Sequence, residues 1–379
     1  MFIKLEQERN KDVSERVPME GKNNNIKKLV CAIVGILIIL LFLLVENNLE
    51  LTSTNDTTPV DNSSEVNHYD NIGIDEDLLN IIYFNVGQAD STLITINDKV
   101  MLIDAGNGSD GHYISEFLKA QNISQIDYLI GTHIDEDHVG GLYKIIENFE
   151  IGNLYMPEST ITSKKFYIDL QETMNKNNVK RTPVEVSDTT EYNLGNASWK
   201  ILYVDNSDPK SEEKFNDTSI VIELTYKETK YLFMGDTSSK VEETINWNKV
   251  NVLKVAHHGS DTSTSLEFLK STFPDYAIIS TNGRYGAPSI DMLNRLDELQ
   301  KLKIENNQDL KIYRTDLHNT IWLTSDGTGI ESIWIEELNY NLDGANRKIS
   351  LLDNLNLLYA ISLYNYKDHL AQAVNGENY

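Results

Sequence analysis

Apolar and polar positions divide the chain into unlike stretches. Residues 29–45 (LVCAIVGILIILLFLLV) form an unbroken apolar run with no charged side chain. As a helix it would span roughly 26 Å, close to the thickness of bilayer hydrocarbon. Residues 46–77 are rich in Asn, Thr, Ser and Asp and offer little that could pack, which predicts a flexible stalk. From residue 78 the pattern changes to short apolar runs bounded by turn residues. NIIYFNV, STLITI and KVMLIDAG predict strands at 80–86, 91–96 and 99–106.

Further strands are predicted at 125–131, 197–204, 219–225, 230–234, 250–256 and 276–280. Helical spacing marks 139–147, 166–177, 240–246, 264–270 and 289–302. Strands and helices mixed in this way predict two sheets covered by helices, an α/β domain that some schemes class as α+β. Beyond residue 337, Leu351, Leu355 and Leu358 recur at helical spacing and predict a terminal amphipathic helix. The expected layout is a tail at 1–28, an apolar segment at 29–45, a linker at 46–77, a folded domain at 78–336 and a helical extension at 337–379.

Charge gives the apolar run an orientation. Residues 1–28 carry seven Lys and Arg, and none follows the run until Lys99. The positive-inside rule then predicts a single-pass membrane anchor with a cytoplasmic N-terminus and an extracellular domain. No small-x-small cleavage site follows the run, so a retained anchor is favoured over a signal peptide. One such segment would not build a multi-helix channel. Residues 1–28 also hold five of the 58 acids and seven of the 33 bases, so the remainder has 53 against 26, a net of −27. Such a surface repels nucleic-acid backbones unless a local patch or a metal overrides it. The single cysteine, Cys31, excludes an intrachain disulfide and a CxxC metal site, so any metal must be held by His and carboxylates.

The densest chemistry is Thr132-His133-Ile134-Asp135-Glu136-Asp137-His138, between a predicted strand and a predicted helix and followed by Gly140-Gly141. His133, Asp135, Asp137 and His138 can converge on a small volume, and imidazole with carboxylate suits Zn²⁺, Mn²⁺ or Fe. The bland alternative is a solvated acidic loop. Two more strand ends offer similar groups: Gly235-Asp236-Thr237, where a carboxylate could bridge two ions, and His257-His258-Gly259-Ser260. Adjacent histidines point in different directions, so one can ligate while the other contacts substrate or transfers a proton.

This ordered set resembles the metallo-β-lactamase signature HxHxDH, in the HxDxDH variant of the subgroup that includes the extracellular domain of the competence protein ComEC. Phe84-Asn-Val-Gly-Gln-Ala-Asp90-Ser91 is similar to the family's FxVGQGDS strand, Leu102-Ile-Asp104-Ala-Gly106 to its LIDxG turn, and Asn216-Asp-Thr-Ser219 to its NxxS segment. Tyr285-Gly286 with Pro288 and Tyr313-Arg314-Thr315-Asp316 complete the series.

The resemblance implies a four-layer αββα sandwich with two divalent ions, Zn²⁺ or else Mn²⁺, where the sheets meet. His133 and Asp135 would serve one ion, Asp137 and His138 the other, with Asp236 bridging. His257 or His258 would complete the second ion. Spacing does not separate them, and His258 is preferred. Asp137 and His257 are then the expected catalytic residues. Asp104 would orient the metal loop, and Asn216, Tyr285 and Arg314 would stand nearby or contact substrate. Asn216 occupies a position where the wider superfamily often has histidine, and Ala287 one where the subgroup commonly shows YGHP.

The chemistry implied is hydrolysis of phosphodiesters, either DNA or a cell-envelope polymer, by water activated between two ions roughly 3.5–4 Å apart. β-Lactamase activity is disfavoured because the subgroup lacks that enzyme's ligand set. The different-class alternative is a non-catalytic metal-binding surface module.

Overall fold

The computed structural model describes residues 74–157, 163–186, 190–207 and 215–335. The expected tail, membrane segment and terminal helix, and the linker as far as residue 73, lie outside the described residues. Among the described residues no helix is long and apolar enough to cross a membrane.

Two sheets build the domain. The first contains β1 (Leu79–Tyr83), β2 (Thr92–Ile96), β3 (Lys99–Ile103), β4 (Gln125–Ile130), β5 (Glu150–Tyr155) and β6 (Arg181–Thr182). The second contains β7 (Tyr192–Leu194), β8 (Ala197–Tyr203), β9 (Val221–Tyr226), β10 (Thr229–Phe233), β11 (Val252–Lys254), β12 (Tyr276–Ile279) and β13 (Lys311–Arg314). The chain then returns to the first sheet as β14 (Ile321–Ser325) and β15 (Ile330–Ile335). The strand orders are β15-β14-β1-β2-β3-β4-β5-β6 and β13-β12-β11-β10-β9-β8-β7.

Alternation along each strand explains the layering, because successive side chains point to opposite faces. In β3, Met101 and Ile103 join the core between the sheets, with Tyr231 and Phe233 of β10 and Trp199 of β8. Val100 and Leu102 face the other way, onto the helices Asp110–Ala120, Leu142–Asn148 and Lys165–Lys176 through residues such as Phe117, Ile145 and Leu170. Leu232 and Leu253 on the outer face of the second sheet pack on Phe268, Leu296 and Leu299 of the helices Leu266–Thr272 and Ile290–Glu305. The expected four-layer αββα sandwich is present.

Two boundaries move for identifiable reasons. The helix expected over 139–147 is two pieces, Glu136–Val139 and Leu142–Asn148, parted at Gly140-Gly141. A Cβ at Gly141 would collide with the Ala105 carbonyl and the backbone of Gly111, where the helix Asp110–Ala120 crosses. The helix expected over 289–302 starts at Ile290 because the Ser289 hydroxyl accepts from the Met292 N–H, and it runs on to Glu305.

What matters for function is strand direction. β3 and β4 are parallel, as are β10, β11, β12 and β13. Their carboxyl ends therefore form one rim on each sheet, and Asp104, the 133–138 loop, Asp236 and the His257-His258 pair all follow from those ends.

Candidate metal centre

The first sheet supplies Asp104, just after β3, and the loop after β4. Asp104 has φ 59°, a left-handed conformation that Asp tolerates better than most residues. Its buried carboxylate accepts from the Thr132 N–H at 2.7 Å, the Thr132 hydroxyl at 2.8 Å and His138 Nδ1 at 2.8 Å. Holding the proton on Nδ1 leaves Nε2 of His138 as a bare lone pair, the form a metal requires. His133 is fixed in turn by hydroxyls, its Nδ1 lying 3.1 Å from Thr132 Oγ1 and 3.3 Å from Ser219 Oγ.

The second sheet supplies Asp236 and the histidine pair. Gly235 has φ 55°, and a Cβ there would press into Ser219, so glycine lets the strand end turn tightly. The Asp236 N–H donates to Ser219 Oγ at 3.0 Å. His257 and His258 both take left-handed backbone (φ 49° and 52°), and their rings are inclined at 62° with centroids 6.3 Å apart. The buried His258 has Nδ1 3.0 Å from the Ser280 carbonyl, so its Nε2 faces the cluster. His257 is about a third exposed (31%), with Nδ1 near the Thr262 hydroxyl and Nε2 3.3 Å from Asn216 Nδ2.

Asp236 is the hub. Its Oδ2 stands 3.3 Å from Nε2 of His138, 3.6 Å from His258, 3.8 Å from His257 and 4.0 Å from His133. Nε2 of His133 is 3.4 Å from Asp135 Oδ2, and Nε2 of His258 is 3.3 Å from Asp137 Oδ2. These separations exceed a charge-assisted hydrogen bond of about 2.7–2.9 Å. The three shortest, 3.3, 3.3 and 3.4 Å, match the roughly 3.4 Å between two ligands that each sit about 2.1 Å from one tetrahedral ion. Nε2 of His133, His138 and His258 and Oδ1 of Asp236 are buried with no hydrogen-bond partner, which a native interior rarely tolerates. Two ligand groups result: His133, His138 and Asp236, and Asp137, His138 and His258. The donor set fits divalent metal.

The electrostatics agree. Burial alone would raise Asp236, but the imidazoles of His138, His258 and His133 hold it well below the carboxylate range. Burial likewise opposes the ionised form of Asp137, yet the His258 imidazole 3.3 Å away and the charge of His138 bring it to about 2. Burial would lower His138, and the Asp236 and Asp104 carboxylates override it and lift His138 well above the usual value. A rim that favours anionic carboxylates and attracts protons to its imidazoles is one where a divalent cation can replace those protons.

The structure brings His133, Asp135, Asp137, His138, Asp236 and His258 together, with Asp104 directly behind His138. His257 and Tyr285 line a cleft of about 280 Å³ that reaches the cluster at His258, together with Gln88, Ala287 and Ser289. Tyr285 is 90% exposed there. Asn216 meets His257 rather than a carboxylate. The Arg314 guanidinium is clamped by Asp316 at 2.6 and 3.0 Å and is not among the residues lining the cleft. Sequence reasoning gave no role to Ser219, although it lay inside a motif. It had no signal for Ser280, whose backbone carbonyl acts.

Comparison with known proteins agrees. Residues 84–284 match the family described as the metallo-beta-lactamase superfamily. The chain is 29% identical over 212 residues to ComE operon protein 3 of Bacillus subtilis, covering 54% of this chain and 25% of that protein. It is 29% identical over 231 residues to Recombination protein 2 of Haemophilus influenzae (59% and 27% covered) and 23% identical over 251 residues to Competence protein ComA of Neisseria gonorrhoeae (64% and 31%). The chain thus spans between a quarter and a third of the length of these relatives. The match over 84–284 takes in every residue of the divalent-metal cluster and more than half of the sequence, and the chain belongs to the metallo-beta-lactamase superfamily.

Proposed function

We propose that this chain is a two-metal hydrolase of phosphodiester bonds, with Zn²⁺ as the ion and Mn²⁺ as a substitute. The observation that carries the reading is the position of Asp236 Oδ2, within 4.0 Å of four imidazole nitrogens, one of them on His138, which belongs to both ligand groups. His133, Asp135 and Asp236 would hold one ion, and Asp137, His138, His258 and Asp236 the other. When bound, such ions polarise a phosphoryl oxygen and lower the pKa of water towards neutrality.

The chain's own groups do the rest. Asp104 and the Ser280 carbonyl fix the tautomers of His138 and His258. His257, partly exposed at the cleft, has Nε2 3.3 Å from the Asn216 amide nitrogen, a donor, so this ring nitrogen is placed to take up a proton from the reacting groups. Gln88 is oriented by the Thr281 hydroxyl and the Asn282 N–H, and with Tyr285 it walls the space where substrate would lie.

Relatives named for competence and recombination favour DNA or another phosphodiester. Electrostatics favour a small or envelope phosphodiester over long DNA. Of Lys254, Lys270, Arg284 and Arg314, three are engaged: Lys254 with Asp90, Lys270 with Glu267 and Arg314 with Asp316. With a net charge near −27 beyond residue 28, binding to DNA is expected to be weak and steeply salt-dependent. The anchored, extracellular topology read from residues 1–45 belongs to the same proposal.

The test is hydrolysis by the metal-loaded full-length chain of bis-p-nitrophenyl phosphate, of its monoester counterpart and of DNA. Diester should be cut faster than monoester, in a metal-dependent way, and Asp135→Ala should abolish the activity. A metal-loaded chain that cuts neither diester nor DNA would favour the binding-module reading.

A further inference from the structure

Behind the ligand cluster lies an ion pair that none of the roles above uses. Lys254 ends β11, three residues before His257, and Asp90 lies in the loop between β1 and β2. Lys254 Nζ is 2.8 Å from Asp90 Oδ2, and both side chains are nearly inaccessible, at 4% and 7%. Lys254 also donates to the Val255 carbonyl at 3.2 Å. Asp90 Oδ1 is buried without a hydrogen-bond partner. The pair therefore joins the two sheets at the rim where the ligands meet.

The main chain of Asp90 is woven into the metal loop. Its N–H donates to the carbonyl of Asp137 at 3.0 Å, and its own carbonyl accepts from the Gly106 N–H at 2.9 Å. One residue thus holds Asp137 through its backbone and reaches the strand bearing His258 through its side chain. The Asp90 charge also acts on His258 and His138, two members of one ligand group. A buried ion pair gives no dependable stability over two apolar side chains of similar volume. A fixed anion beside a cation site in a low-dielectric interior does favour the cation, and Lys254 keeps that anion ionised.

We propose that Asp90 and Lys254 are positioning residues for the ion held by Asp137, His138 and His258. They lock the loop carrying Asp137 to the strand end carrying His258 and supply the local field that this ion requires. The inference rests on the two-ion reading above.

The test is Zn²⁺ titration of the full-length chain, stripped of metal, by competition with a chromogenic chelator, alongside thermal melting of the metal-free forms. The wild type is compared with Lys254→Met, Lys254→Arg and the double variant Asp90→Asn/Lys254→Met, which leaves no buried charge unpaired. The wild type should take up two equivalents. The double variant should melt near the wild type, bind the first equivalent within threefold and bind the second at least tenfold more weakly. Lys254→Arg should recover part of that loss. A double variant that binds both equivalents like the wild type overturns the proposal, as does one that weakens both equally or fails to fold. A wild-type chain that takes up no metal removes the two-ion reading itself, and this inference with it.

Discussion

Replacing Asp104 by Asn tests the centre through a single proton. Asn has nearly the same shape and tolerates the left-handed backbone at this position, so the turn after β3 should survive. The Asp104 carboxylate accepts three hydrogen bonds, two from Thr132 and one from His138 Nδ1. An amide has one oxygen. If that oxygen keeps the Thr132 N–H, the amide NH₂ faces His138 Nδ1, which must then accept. The imidazole proton moves to Nε2, the nitrogen that faces Asp236 at 3.3 Å and would bind metal. If the amide flips to keep the metal-binding tautomer, its NH₂ opposes the buried Thr132 N–H. One unsatisfied buried donor costs about 1–3 kcal/mol.

Either route weakens the ion held by His138 by about 10–100-fold, which is also the usual effect of removing a residue that orients a metal-bound histidine. Calorimetric or chelator-competition titration of the full-length variant measures this directly, with melting of the metal-free form as the control for folding. An Asp104→Asn chain that binds both equivalents within threefold of the wild type would refute the tautomer argument.

Three other outcomes follow from the same geometry. His258→Ala should lose one metal equivalent, whereas His257→Ala should keep both and lower kcat by about 10²–10⁴-fold; loss of metal in the latter would make His257 a ligand. In the metal-free chain His138 and His258 are raised above the ordinary 6.5 and Asp137 is lowered from 3.8 to about 2. The histidines therefore add stability that is complete below about pH 6.5 and lost as pH rises through their raised values, while the Asp137 contribution is present above about pH 4 and lost as pH falls towards 2. The melting temperature of the metal-free chain should decline as pH rises above about 6.5, and saturating metal should flatten that limb; a flat metal-free profile on the alkaline side contradicts the assignment. Gly141→Ala should cost about 3 kcal/mol, or roughly 6–12 °C in Tm, because the new Cβ meets backbone on both sides, and an unchanged Tm would contradict that packing.

Much of the centre was legible before folding. His133, Asp135, Asp137 and His138 fall within six residues, and a loop that short keeps them together whatever the rest of the chain does. The αββα layering was readable from alternation in β1, β2, β3 and β10, since each strand sends one set of apolar side chains between the sheets and the other onto helices. Other elements left little trace. The helix Asp110–Ala120 carries Gly111 in its first turn, strand β5 is half exposed and contains Gly152, and the β14–β15 hairpin pairs with β1 across more than 200 residues of sequence. Their local preferences are weak, and tertiary packing decides them.

By itself, then, the sequence determined which groups could bind metal and that they leave the ends of strands, because ligand type and loop length are local properties. It could not choose between His257 and His258, place Arg314 on Asp316 rather than in the cleft, or join Lys254 to Asp90 across 164 positions. Those choices depend on which strand ends meet when two sheets pack. The left-handed turn at His257 and His258 sends one ring into the cluster and the other to its edge. Such distances are set by the packing of the whole domain, and residue order alone does not encode them in any local pattern.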